Sequence, residues 1–158
     1  MLPTSKPKMR KIFILKGKSE TGKTTKINQI AEWIINNYGC ANTIGLNTTN
    51  YLKDTHGILT VNKLTIGINS SGDNEWEVKK IDNLSLPNDE RPDIILCTCR
   101  TKGKGRKHIR DNYNRTNGWL SVFISVEEFP ILDIKNQTTR DTRVIKELKT
   151  WLTGLEKL

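Results

Sequence analysis

The sequence predicts an α/β fold: a three-layer sandwich with a mostly parallel central sheet and an antiparallel hairpin at its edge. Three observations carry this. Residues 11–16, Lys-Ile-Phe-Ile-Leu-Lys, form a β-prone apolar run, followed after a glycine-containing turn by Ile27, Ile30, Ala31, Ile34 and Tyr38 at helical spacing. Residues 93–99 are almost continuously apolar, the pattern of a strand covered on both faces. Between them, the runs 57–61 and 64–68 are separated by Asn62-Lys63 alone, a hairpin spacing. A length of 158 residues suits one domain with a real core. The expected organisation is a flexible basic leader over 1–10 and a single domain over 11–158.

Each element has a local reason. The first strand is expected over 11–16 and the first helix over about 23–38, with Gly39 as its stop. Residues 40–56 are rich in Asn and Thr and read as a loop with a short strand at 43–46. After the hairpin, 74–84 suits a helix capped by Asp73, with Trp76, Ile81 and Leu84 facing inward. Residues 86–92 are polar and proline-flanked, hence loop. Residues 100–118, basic and carrying Gly103, Gly105 and Gly118, also read as loop, and 119–124 as a strand. Val144, Ile145, Leu148, Trp151, Leu152 and Leu155 mark a final amphipathic helix with Asp141 as its cap. Trp33 and Trp151 read as packing residues.

Composition excludes several classes. No apolar run approaches the roughly 20 residues that span a bilayer, and the first residues lack the apolar core of a secretory signal. The expected location is the cytoplasm, with no membrane partner. Three cysteines do not make a disulfide framework. Cys97 and Cys99 alternate on one side of a strand, as small buried side chains do, and reduced thiols suit a cytosolic home. Neither His56 nor His108 has a partner visible in the sequence. The formal net charge of +9 suits an anionic ligand or simply a soluble surface.

The turn after the first strand has its own chemistry. Residues 17–24 read Gly-Lys-Ser-Glu-Thr-Gly-Lys-Thr, a complete G-x-x-x-x-G-K-[ST] pattern between a strand and a helix. Glycines let the backbone wrap an anion, and helix-start N–H groups point at it. The alternative is a glycine turn that merely joins strand to helix. Over residues 11–38 the chain resembles the P-loop NTPase superfamily. That resemblance implies that Gly17, Lys18, Ser19, Glu20, Thr21, Gly22, Lys23, Thr24 and Thr25 bind the phosphates of ATP or another nucleoside triphosphate. Lys23 would reach the β/γ-phosphates and act in catalysis, and Thr24 would ligate Mg²⁺. It also implies a P-loop fold of the kinase–GTPase type.

A second metal ligand is expected at the carboxyl end of a neighbouring strand. Asp93 opens its strand and lies at the wrong end. Asp73 follows the 64–68 strand at the right end and is the candidate, with Ser70 or Ser71 assisting; its competing role is a helix cap. The order of glycine loop, Thr-rich loop and hairpin is also similar to a small GTPase. Asn69-Ser70-Ser71-Gly72 stands at the D-x-x-G position, and Cys97-Thr98-Cys99-Arg100 stands where N-K-x-D would be. Without that guanine-reading motif, ATP is the expected nucleotide. Residues 66–73 and 93–103 together are similar to small P-loop proteins of bacteria and their phages.

Arg100, Lys102, Lys104, Arg106, Lys107, Arg110 and Arg115 crowd one segment with a single acid, Asp111. It reads as a nucleotide-kinase-like lid over 100–115 with glycine hinges, as a nucleic-acid or protein contact with Tyr113 and Trp119 for stacking, or as a solvated loop. Arg100, fixed by a strand end, is the best candidate for a phosphate contact. The sequence thus points to Mg-dependent ATP hydrolysis by a small P-loop protein. The alternatives are a nucleotide or small-molecule kinase, or a nucleotide-regulated binding module.

Overall fold

Strict alternation along the first strand dresses the sheet with helices on both faces. The computed structural model describes residues 9–18, 21–38, 42–44 (backbone only) and 54–153. The strands are β1 (Arg10–Lys16), β2 (Asn42–Ile44), β3 (His56–Val61), β4 (Leu64–Asn69), β5 (Ile94–Cys99) and β6 (Trp119–Ser125). The helices are α1 (Lys23–Tyr38), α2 (Glu75–Lys79), α3 (Lys104–Asn112) and α4 (Ile134–Leu152). Phe13 and Leu15 of β1 pack with Ile27, Ile30 and Ile34 of α1 and Val144, Leu148 and Leu152 of α4. Ile12 and Ile14 face the opposite way, toward Val78 of α2, Ile81 and Ile109 of α3. Each such side chain, fully buried, contributes about 1.5–3 kcal/mol, so the two coats hold the sheet from both sides.

The six strands lie in the order β2-β3-β4-β5-β1-β6. β4, β5, β1 and β6 are mutually parallel, and β3 runs antiparallel to both its neighbours. The expected mostly parallel sheet with an antiparallel edge is therefore present. Asn62 takes positive φ (54°) at the β3–β4 turn, which is why Asn-Lys suffices there. The strand beside β1 is β5, so the Asn69–Gly72 tetrad must cross the end of β5 to approach the glycine loop.

Five expectations are corrected. The cap of α2 is Asn74, whose side chain accepts from Glu77 N at 2.9 Å, leaving Asp73 outside the helix. Trp76 points outward, 74% exposed. Residues 104–112 form a helix instead of a loop: a lone buried Ile109 gives no periodic stripe to read. Finally, α4 starts at Ile134, capped by Asp133, and Asp141 is mid-helix. One turn before Val144 its buried stripe is filled by Arg140, a charged residue that hides the period. Arg10, expected in the leader, already belongs to β1. Residues 1–8, Ser19, Glu20, Gly39 and Leu155 lie outside the described residues.

Candidate functional site

The glycine loop leaves β1 at the carboxyl end of the parallel strands, where ligands bind in open α/β sheets. Gly17 N donates to Cys99 O at 3.1 Å and Val126 N donates to Lys16 O at 2.8 Å, so the loop is rooted between β5 and β6. Gly22 closes it with φ of +79°, a left-handed conformation that costs an L side chain about 1–2 kcal/mol. Lys23 folds back across the loop. Its Nζ donates to Gly17 O (2.9 Å) and Lys18 O (2.6 Å), and the residue is 5% exposed. Burial pulls the Lys23 ammonium below the ordinary lysine value; Asp73 pulls it up, and Arg100 and Lys26 push it further down. Lys23, Asp73 and Arg100, far apart in sequence, are thus within electrostatic reach of one another.

Lys26 grips the same loop from its outer side. Its Nζ donates to Thr21 O and Gly22 O, both at 3.2 Å, and pairs with Asp141 of α4 at 2.7 Å. A trans peptide holds its carbonyl and N–H on opposite sides of the chain. Holding the Thr21 and Gly22 carbonyls therefore also fixes the direction of the Gly22 and Lys23 N–H groups. Burial lowers the Lys26 ammonium despite the Asp141 charge. Burial also opposes the Asp141 carboxylate, but Lys26 and Arg140 outweigh it and hold that carboxyl below the usual range. Asp141 is half-exposed and so loses less hydration than Lys26.

Thr24 sits where three chain segments converge. Ser70 O accepts from the Thr24 hydroxyl at 2.8 Å and from the Thr98 hydroxyl at 3.2 Å, tying α1, the loop after β4 and β5 together. This convergence requires Gly72, because a Cβ there would lie 2.2 Å from Thr98 O. The expected assistance from Ser70 and Ser71 is corrected. Thr55 N donates to the Ser70 hydroxyl at 2.6 Å, and the Ser71 hydroxyl points at Asn69. Asn69 itself is fully buried and donates to Ser71 O and Glu77 O, a structural tie between β4 and α2. Asp73 is exposed and makes no hydrogen bond or ion pair among the described residues. The Asp54 carboxylate also lies against the Thr24 hydroxyl. Burial first, then the Glu77 and Asp73 charges, push the Asp54 carboxyl upward, while Lys80 and Thr24 draw it back.

Arg100 follows β5 directly, exposed and without a hydrogen bond or ion pair among the described residues. With Asp73, Glu75, Lys102, Lys104 and Arg106 it lines a cleft of about 260 Å³. Beyond this cleft α3 is docked: Ile109 is buried and Gly105 packs against Val78. The stacking role considered for Tyr113 and Trp119 is corrected, because they are 3% and 7% exposed and packed on each other. The histidines do have partners. His56 Nδ1 meets Asn69 Oδ1 at 3.1 Å, and His108 Nε2 meets Asp82 at 2.8 Å. Cys97 and Cys99 are buried on one face, as expected, and burial pushes the Cys99 thiol up to about 11.

Sequence reasoning missed Asp54, Lys26 and Asp141. Asp54 carries a signal in hindsight, being the sole acid between Glu32 and Asp73. Lys26 lies one helical turn after Lys23, on the side of α1 that meets the loop. Nothing local marks Asp141, since its partner lies 115 positions away. Thr25 is half-buried beside Thr24, and Lys18 is exposed at the loop entrance with Glu128 4.0 Å away. No protein-family model, curated protein or solved structure matches this chain.

Proposed function

We propose that this chain is a P-loop protein that binds ATP, or another nucleoside triphosphate, with Mg²⁺ and hydrolyses it. One observation carries the reading: Lys23 is a buried ammonium held at the mouth of the loop by neutral carbonyls and the Thr21 hydroxyl. Burying a cation costs several kcal/mol; Asp73 offsets part of this from a distance, and a phosphate oxygen entering the loop would supply a charge in direct contact. The N-terminal end of α1, with the Gly22 and Lys23 N–H groups fixed by Lys26, favours the same anion.

The donor set fits the metal. The Thr24 hydroxyl, the unpaired Asp73 carboxylate and Asp54 are hard oxygen donors of the kind Mg²⁺ takes. When bound, the ion would neutralise phosphate charge. The chain's own part is positioning and charge stabilisation, the main demands of phosphoryl transfer. The loop backbone orients the phosphates, Lys23 and Arg100 stabilise charge on the transferring group, and Lys26 fixes the loop peptides.

Calorimetry with ATP and a non-hydrolysable analogue, with and without Mg²⁺, tests binding; inorganic phosphate release tests hydrolysis. The expected result is Mg-dependent binding and turnover, with Asp73→Asn raising the Mg²⁺ requirement about 10–100-fold. A wild-type chain that binds no nucleoside triphosphate would overturn the reading. The cleft beside Asp73 and Arg100 favours a second reading, phosphoryl transfer to an acceptor held there. Labelled phosphate appearing on a nucleoside monophosphate or small alcohol, instead of as free phosphate, selects it. That reading rests on the cleft.

A further inference from the structure

Residues 100–115 hold seven of the 26 basic residues and one of the 17 acids, which is two thirds of the net charge. The fold spreads these charges unevenly. Arg106 is committed inward, donating to Thr101 O at 3.0 Å with its guanidinium over the Phe123 ring. Lys107 is paired with Asp111 at 2.9 Å. Arg100, Lys102, Lys104, Arg110 and Arg115 remain exposed and make no side-chain hydrogen bond or ion pair among the described residues. They run from the end of β5, along the solvent side of α3, to the turn at Arg115–Asn117. A nine-residue helix is about 14 Å long, so this is a strip of free cations and not a point site.

We propose that this strip is a phosphate-backbone contact surface for duplex DNA, used without sequence preference. A duplex presents about one negative charge per 1.7 Å of its axis, so cations spread along α3 and its two ends can each meet a phosphate. Three observations choose among polyanions. Tyr113 and Trp119, the aromatics that follow α3, are buried, so among the described residues the strip itself carries no exposed ring for the stacked bases of a single strand; the exposed Trp76 belongs to α2. The exposed side of α3 carries Lys104, Lys107, Arg110, Asp111 and Asn112, with no apolar residue to enter a lipid surface. A basic helix face fits along B-form grooves, whereas the A-form major groove is too narrow for side chains.

The test is fluorescence anisotropy of a mixed-sequence 20-base-pair DNA (length about two turns) titrated with the full chain without nucleotide, over a range of NaCl. The outcome is then independent of the reading of the glycine loop. The expected slope of log affinity against log salt lies between about −3 and −5, near −0.9 per phosphate contacted. Lys104→Ala, Arg110→Ala and Arg115→Ala should each reduce that slope by about one. Lys135→Ala, an exposed charge on α4, should leave it unchanged. Circular dichroism reports whether each variant keeps the wild-type fold. The proposal is overturned by an unchanged slope in the triple variant, or by equal or tighter binding of single-stranded DNA or duplex RNA. Anionic vesicles that bind the chain and are not displaced by duplex would overturn it as well.

Discussion

Two lysines one turn apart on α1 are both buried against the glycine loop, and they are treated in opposite ways. Lys26, on the outer flank, is 3% exposed and carries an ion pair with Asp141 as well as two loop carbonyls. Lys23, in the mouth, is equally buried but is held by carbonyls and a hydroxyl. Among the described residues the flank lysine has a carboxylate in direct contact, and the mouth lysine has only the longer-range charge of Asp73. A division of roles recurs nearby: Asn74 performs the helix cap, and the adjacent Asp73 carboxylate lines the cleft with Arg100.

The largest effect is expected at the mouth. Lys23→Ala should lower ATP hydrolysis about 10²–10³-fold, the cost of losing a preorganised charge donor, while leaving the melting temperature unchanged or raised. Lys26→Met should instead act mainly on stability. It removes the side-chain donor from Thr21 O and Gly22 O and the Lys26–Asp141 ion pair, while Asp141 keeps Arg140, for a loss of about 1–3 kcal/mol in urea unfolding and a smaller fall in nucleotide affinity than Lys23→Ala. Equal stability losses in the two variants would erase the distinction between mouth and flank.

Gly22→Ala tests the hinge between them. The left-handed φ costs about 1–2 kcal/mol, and the new Cβ would sit 2.8 Å from Lys26 Nζ. Both stability and nucleotide affinity should fall, measured by unfolding and calorimetry on the same preparation.

The smallest effect is a pH dependence. The folded-state Asp141 carboxyl lies below its usual value, with burial opposing and Lys26 and Arg140 prevailing. Its contribution is therefore complete above the ordinary aspartate range near pH 3.9 and is lost as pH falls through the lowered folded value. Asp141→Asn should flatten the acid limb of the melting-temperature profile. At pH 7 it should cost about 1 kcal/mol, less than a fully buried pair because Asp141 is half-exposed. An acid limb identical to wild type would remove Asp141 from the flank.

Legibility followed the range of the interactions. β1, α1, the β3–β4 hairpin and β5 were readable because each advertises itself through a nearby apolar period or a two-residue turn. The α3 helix was not, because its single buried Ile109 and following Tyr113 are too few to make a period. The early start of α4 was hidden by Arg140, whose burial depends on Asp141 and Glu127 O. Asp73 was found at the right strand end, but its place outside the helix was not, since that follows from Asn74 taking the cap.

The linear chain settled the local matters: which runs are strands, where the glycine loop falls, and that a lysine and a hydroxyl follow it. Those follow from side-chain periodicity and backbone freedom, which act over a few residues. Folding settled the assignment of partners. Interposing β5 beside β1 brought Ser70 over to Thr24 and Asp73 within electrostatic reach of Lys23. Docking α4 on α1 gave Asp141 to Lys26. Burial and charge pairing are properties of neighbours in space, and no short stretch of sequence contains them.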